Sequence, residues 1–216
     1  MPNRITNRWY RQFLDDRTIE PITEEEVKKA LENIKGDYAD MGRALLITLY
    51  YTGCRPAEAL ELKTENFSVQ GTKLSISFKT LKRGVPRQLI LSMSQNKLLM
   101  QLSAYAKTMP PQLYIFHRFR GAYVRSTRLK DGTTKTRTET SYKVYWHLIR
   151  WFKNVREGSI PPYFLRHSLF SKLGEKGLTT RELAYVKGAR RESSVEAYVH
   201  ITPKQKEKIS KAMSGR

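Results

Sequence analysis

The stretch YYTGCRPAEALEL, residues 50–62, sets one arginine, Arg55, in an otherwise apolar segment, directly before Pro56 and three residues ahead of Glu58. Proline is favoured at the first position of a helix, where its missing N–H costs nothing and its fixed φ is already helical. Gly53, just upstream, closes the preceding apolar run. The segment therefore reads as helix, glycine turn, helix, with Arg55 at the second entrance.

Working outward on the N-terminal side, residues 1–20 are polar and aromatic without a clean period and read as an arm or linker. PITEEEVKKALENI (21–34) offers Thr23 as N-cap with Glu26 at the capping-box position, then Val27, Leu31 and Ile34 at helical spacing. A second helix is expected over roughly 37–51 and a third from Pro56.

On the C-terminal side KLSISFK (73–79) alternates strictly, with Leu74, Ile76 and Phe78 on one face and Lys73, Ser75, Ser77 and Lys79 on the other, which is the period of a half-buried strand. TLKRG (80–84) supplies a turn. VPRQLILS (85–92) is the return strand, with Pro86 marking an edge or irregular start. A second basic ribbon, YVRSTRLKDGTTKTRTETSY (123–142), has Asp131-Gly132 as a hairpin signal between β-favouring residues; it reads as a hairpin or as a surface loop.

Helical patterns then return. KVYWHLIRWF (143–152) is apolar enough for a core helix. PPYFLRHSLFSKLGEKG (161–177) opens with proline, carries Leu165, Leu169 and Leu173 four residues apart, and has Arg166 near its start. TTRELAYVKG (179–188) pairs Thr179 with Glu182 and stops at Gly188. SSVEAYVHITP (193–203) offers Ser193 with Glu196 as a further capping box and places Tyr198 in the second turn of a short helix. The expected fold class is α+β, mostly α-helical, with a small antiparallel β-hairpin or sheet on one side.

Charge narrows the function. The chain has 216 residues, 40 Lys+Arg against 20 Asp+Glu, and a formal net charge of +20. Residues 71–160 hold 18 Lys+Arg and three acids, Asp131, Glu139 and Glu157, so most of the excess is concentrated there. A solvated surface interleaves the two signs; a one-sign field implies a polyanionic partner, and nucleic acid is the leading candidate. The apolar runs are too short to cross a bilayer, and the N-terminus lacks the apolar core of a signal sequence. Both features point to a soluble intracellular protein. The single cysteine, Cys54, excludes an internal disulfide and a cysteine-based metal cluster.

Three boxes in order carry a resemblance. TGCRPAEALEL (52–62) resembles the first arginine box of the tyrosine recombinases, the phage-type integrases and resolvases; YFLRHSLFSKL (163–173) resembles their second; EAYVHI (196–201) is similar to the segment that bears their nucleophilic tyrosine. The intervals, 24 residues from Arg55 to Lys79 and 32 from Arg166 to Tyr198, also agree. The resemblance runs over about 21–203, the expected catalytic domain, with the basic ribbon at about 118–142 inside it and a tail at 204–216. Family members carry a helical core-binding domain ahead of the catalytic one. With about twenty residues before the match, this chain is expected to be an excised catalytic domain or to lack that half.

The resemblance implies a site-specific recombinase or integrase in which Tyr198 attacks a phosphodiester and forms a 3′-phosphotyrosyl ester. Arg55 and Arg166 would clamp the non-bridging oxygens of the phosphorane, where guanidiniums stabilise the developing charge. Glu58 would orient Arg55 or simply face solvent. Lys79 would protonate the leaving 5′-oxygen, with Lys82 as the competing acid. No cofactor or metal is implied, because the cations take the metal's place.

Two positions depart from the family. Tyr163 stands where His or Lys is usual, either contacting the phosphate or packing. KGARRESS (187–194) places Ala189 or Arg190 where a His or Trp donor is expected, and Arg190 is the choice because alanine has no donor. His167 is expected to be a buried structural histidine. Lys82, Arg83, Arg87, Arg125, Arg128, Lys135 and Arg137 are the expected DNA contacts. These departures most resemble the integrases of archaeal viruses and plasmids. They imply double-stranded attachment-site DNA as partner, a homo-oligomer (a tetramer) on that DNA, and a cytoplasmic, DNA-associated location in a host cell. A topoisomerase IB-like nicking-closing enzyme and an inactive DNA-binding module are the alternatives.

Overall fold

A computed structural model describes residues 21–79, 84–128, 133–142, 144–156 and 162–199, with backbone alone over 122–128, 135–142, 145–146 and 162–163. The expected arm at 1–20, the tail at 204–216, Lys82, Arg83 and the Asp131-Gly132 turn lie outside the described residues.

The element order begins with helices α1 (Glu24–Glu32), α2 (Ala39–Thr52) and α3 (Pro56–Leu60). Strands β1 (Phe67–Gln70), β2 (Lys73–Phe78) and β3 (Arg87–Ser92) follow, then α4 (Lys97–Thr108). The ribbon strands β4 (Arg120–Arg128) and β5 (Thr134–Tyr142) lead into α5 (Val144–Trp151), α6 (Pro162–Glu175) and α7 (Thr180–Lys187). A 3₁₀ turn, Glu192–Tyr198, ends the described chain.

Helix α2 is the centre of the packing. Apolar residues surround it on every side, with Leu45, Leu46, Ile47 and Leu49 essentially inaccessible, so α1, α4 and α6 can all pack against it. Its two buried threonines, Thr48 and Thr52, satisfy their hydroxyls on the carbonyls one turn back, Ala44 and Thr48. Gly53 ends it in the left-handed conformation, φ 56°, which a β-carbon would strain. The two capping boxes read at Thr23–Glu26 and Thr179–Glu182 both form.

The sheet is a three-stranded antiparallel meander in the order β1-β2-β3, so the expected hairpin gains an outer strand. Leu74, Ile76 and Phe78 are its buried face, as the alternation predicts, and Phe78 pairs with Arg87 at the end where β2 and β3 are connected. The helix α4 was not among the sequence expectations, although Leu99, Leu102, Ser103 and Ala106 line its buried face and Asn96 caps it.

Strands β4 and β5 pair along their whole length as a two-stranded antiparallel ribbon. Its base is tied to the body by Arg120, which bonds Glu61 at 2.8 Å and stacks on Tyr114 with 3.6 Å between guanidinium and ring centroid. The register sets Arg125 opposite Arg137 and Thr127 opposite Lys135.

The expected capping box at Ser193–Glu196 does not form. Arg191 is the N-cap residue, without a side-chain cap, and the hydroxyl of Ser194 bonds back to the Arg191 carbonyl at 2.9 Å. Val195 and Tyr198 are both buried, and three residues apart they eclipse on one face of the 3₁₀ helix.

Candidate active site

Arg55 sits at the N-cap of α3, extended at φ −69°, ψ 147°, with Pro56 starting the helix behind it. Glu58, at the third helical position, turns back. One carboxylate oxygen accepts the Arg55 backbone N–H at 2.9 Å and the other accepts Arg55 Nη1 at 2.9 Å. The oxygen on the backbone N–H also accepts Arg87 Nη2 at 3.0 Å. Of the two readings of Glu58, the orienting one is therefore the geometry found. Burial would push the Glu58 carboxyl up, but the charge of Arg87, the Arg55 N–H and Arg166 together hold it below the usual carboxylate range.

That arrangement corrects the reading of Arg87. Its side chain is 1% exposed, paired with Glu58 and stacked 4.7 Å from the Phe78 ring centroid, so it is a buried strut between β3 and α3 and not a surface contact for DNA. Strand alternation explains the misreading: Arg87 shares its face with Leu89, which turns inward, whereas Gln88 and Ile90 point out.

Arg166 lies in the first turns of α6 and is buried. Nη1 donates to the carbonyl of Gly53, and Nη2 donates to the carbonyl of Lys187 at 2.8 Å. The left-handed turn that ends α2 thus presents its carbonyl to the second arginine, which joins the two boxes physically. Burial first, and the neighbouring charge of Arg55 second, pull Arg166 down to about 10. Its guanidinium lies 5.0 Å from the centroid of Phe170.

Tyr198 reaches the same place from the 3₁₀ turn. It packs against Phe170, with ring centroids 5.6 Å apart, in a small cluster with Leu183, Ala184 and Val195. Its hydroxyl shares a hydrogen bond with Nδ1 of His167, the residue after Arg166. His167 is buried, as expected. Burial, then the charges of Lys187 and Arg166, lower it to about 4, so the ring is neutral near pH 7. Gly174 of α6 allows the close approach: a β-carbon there would collide with the Tyr198 carbonyl oxygen.

Lys79 is exposed, one residue past β2. Tyr163 is the second residue of α6, one turn before Arg166, and its side chain lies outside the described residues. Arg190 is exposed beyond the Gly188 cap, with no hydrogen bond to the cluster. Arg125, Arg128, Lys135 and Arg137 are placed by backbone register alone, on the ribbon.

One cation of the site was missed. Lys187, the last residue of α7, has its ammonium 5.3 Å from the Tyr198 ring centroid and 6.0 Å from that of Phe170. In the sequence it stands directly before Gly188, where a lysine reads as an ordinary helix C-terminal charge, so nothing local distinguished it.

Comparison with known proteins gives a concordant result. A model of the phage integrase family matches residues 20–205. The chain is 27% identical over 195 residues to tyrosine recombinase XerA of Pyrococcus furiosus, covering 88% of this chain and 61% of that protein. It is likewise 27% identical to XerA of Pyrococcus horikoshii, covering 88% and 60%. It thus spans about three fifths of the length of these relatives. Among solved structures the fold is similar to XerH site-specific recombinase bound to its difH substrate, with TM-score 0.59, 20% identity, and 89% of this chain and 54% of that one covered. XerA recombinase gives TM-score 0.57 and 16% identity, covering 92% and 67%. With the arginine boxes joined through Gly53 and the tyrosine seated beside them, the chain belongs to the phage integrase family.

Proposed function

We propose that this chain is the catalytic part of a site-specific DNA recombinase or integrase acting through a phosphotyrosyl intermediate. The observation that supports this most is the convergence on Phe170: Arg166 and Tyr198, 32 residues apart in sequence, both pack on that ring, and Arg55 is close enough for its charge to act on Arg166. Two guanidiniums beside a tyrosine suit a pentacoordinate phosphorane, whose non-bridging oxygens carry more negative charge than the ground state.

In the step envisaged, the Tyr198 hydroxyl leaves its bond to His167, loses its proton to solvent and bonds through its oxygen to phosphorus. The bond from phosphorus to the 5′-oxygen breaks, and Lys79 gives that oxygen its proton. The energy of the diester is kept in the phosphotyrosyl ester, so an incoming 5′-hydroxyl can reverse the step and reseal DNA. Tyr163 and Arg190 would be further phosphate contacts, and the basic ribbon a contact with the duplex backbone. The partner is double-stranded DNA carrying an attachment site, bound by an oligomer of the protein. The setting is a host cytoplasm, for viral genome integration. Among the described residues no helix is long and apolar enough to cross a membrane.

The test is incubation with a duplex that the protein selects from a random-sequence pool, nicked beside the scissile position so that the small product diffuses away. A covalent protein–DNA band on denaturing electrophoresis, lost in Tyr198→Phe at unchanged affinity, is the expected result. Binding without any covalent band would leave an inactive DNA-binding module.

A further inference from the structure

Lys187 has two ends with different tasks. Its carbonyl holds Arg166 through the 2.8 Å bond to Nη2. Its ammonium turns toward Tyr198 and Phe170, the ring on which Arg166 also lies, and donates to the carbonyl of Ser194. Among the described residues no carboxylate pairs with it. The charges that act on it are Arg166 and Arg55, both cations. The single carboxylate of the cluster, Glu58, is already bonded to Arg55 and Arg87. Bringing three cations together in a half-buried place without an equal number of anions is unfavourable unless an anion joins them.

We propose that Lys187 is a third phosphate-contacting cation of the active site, placing its ammonium on the scissile phosphate beside Tyr198 and together with Arg55 and Arg166. The proposal rests on the recombinase reading above. It supplies from the end of α7 the donor that Ala189 lacks. Burial first, then the two arginines, bring the Lys187 ammonium down to about 8. The free site therefore holds its full charge below that pH and loses it above, and a bound phosphate restores the proton.

The test uses the full chain in its Tyr198→Phe form with lysine labelled at the ε-carbon, titrated by NMR with and without the intact selected duplex. The Lys187 signal is identified by its disappearance in Lys187→Arg. The expected result is an ammonium that titrates at least about one unit higher in the complex, a tenfold shift in proton affinity. An unchanged titration would overturn the proposal. In the cleavage assay, Lys187→Met should lower the single-turnover rate by roughly 10²–10³-fold, as for loss of one transition-state donor, with little change in affinity. Lys187→Arg should recover part of that rate and remove the alkaline fall above about pH 8. Wild-type rates in Lys187→Met would also overturn it. If the wild-type chain forms no covalent adduct the recombinase reading fails, while the NMR titration still decides whether Lys187 meets a phosphate.

Discussion

Glu58 and Arg87 form an ion pair closed to solvent: Arg87 Nη2 donates to Glu58 Oε2 at 3.0 Å, and the two side chains are 0% and 1% exposed. The pair fixes β3 against α3 and leaves the other Glu58 oxygen to aim Arg55. Removing one member strands a buried charge. Arg87→Ala should therefore lower stability by about 3 kcal/mol, measured by urea denaturation. The same variant should leave the salt dependence of DNA binding unchanged, because Arg87 meets no phosphate. Replacing Arg125, Arg128, Lys135 and Arg137 together should do the reverse, reducing the salt slope by about 0.9 for each phosphate no longer neutralised, at little cost in stability. A shallower slope in Arg87→Ala would return that residue to the DNA surface.

Gly174 separates assembly of the site from binding. An alanine β-carbon there would overlap the Tyr198 carbonyl oxygen, a backbone atom with no rotamer to adopt, so the 3₁₀ turn must move away from α6. Gly174→Ala should cut covalent adduct formation by roughly 10²-fold, since displacing a reacting group by about 1 Å has that effect, while DNA affinity stays near wild type. Equal losses of both would mean that the substitution disturbs the fold at large.

How legible the site was follows the range of the signals involved. Local chemistry, such as the Thr23–Glu26 and Thr179–Glu182 caps, the proline after Arg55 and the alternation of 73–79, was readable because each signal lies within a few residues of its effect. Arg87 and Lys187 were misjudged for the opposite reason. One is buried by a carboxylate 29 positions away, the other is drawn in by a helix 21 positions away, and neither has a local sign of it. At the tail turn Ser193 and Glu196 imitate a capping box, whereas the N-cap residue is Arg191, without a side-chain cap, and the turn is 3₁₀. Helix α4 carries a local pattern of its own, Leu99, Leu102 and Ala106 at helical spacing after an asparagine cap.

His167 links stability to pH. Burial and the charges of Lys187 and Arg166 bring it to about 4, against about 6.5 in an unfolded chain, so the folded state prefers the neutral ring. Its contribution is complete above about pH 6.5 and is lost as pH falls toward 4. Denaturation at pH 7.5 and at pH 4.5 should differ by about 2–3 kcal/mol more in the wild type than in His167→Gln. An identical acid loss in both would assign it to other groups.

Lys79 is exposed directly after β2, where the chain leaves for β3, and its proposed proton donation is tested chemically. Lys79→Ala should slow cleavage of an ordinary phosphodiester by roughly 10²–10⁴-fold and recover on a substrate with a bridging 5′-sulfur, whose thiolate leaves without a proton. Arg166→Ala should not recover, since sulfur does nothing for the non-bridging oxygens. Rescue of Lys82→Ala in place of Lys79→Ala would move the acid to Lys82.

The central claim is that Tyr198, seated beside Arg166 on Phe170, is the residue that takes the phosphate. The most direct measurement is proteolysis of the covalent adduct followed by mass spectrometry of the DNA-linked peptide. The account predicts a phosphodiester on Tyr198 and none on Tyr163. A DNA-linked Tyr163, with Tyr198 unmodified and Tyr198→Phe still able to form the adduct, would contradict it.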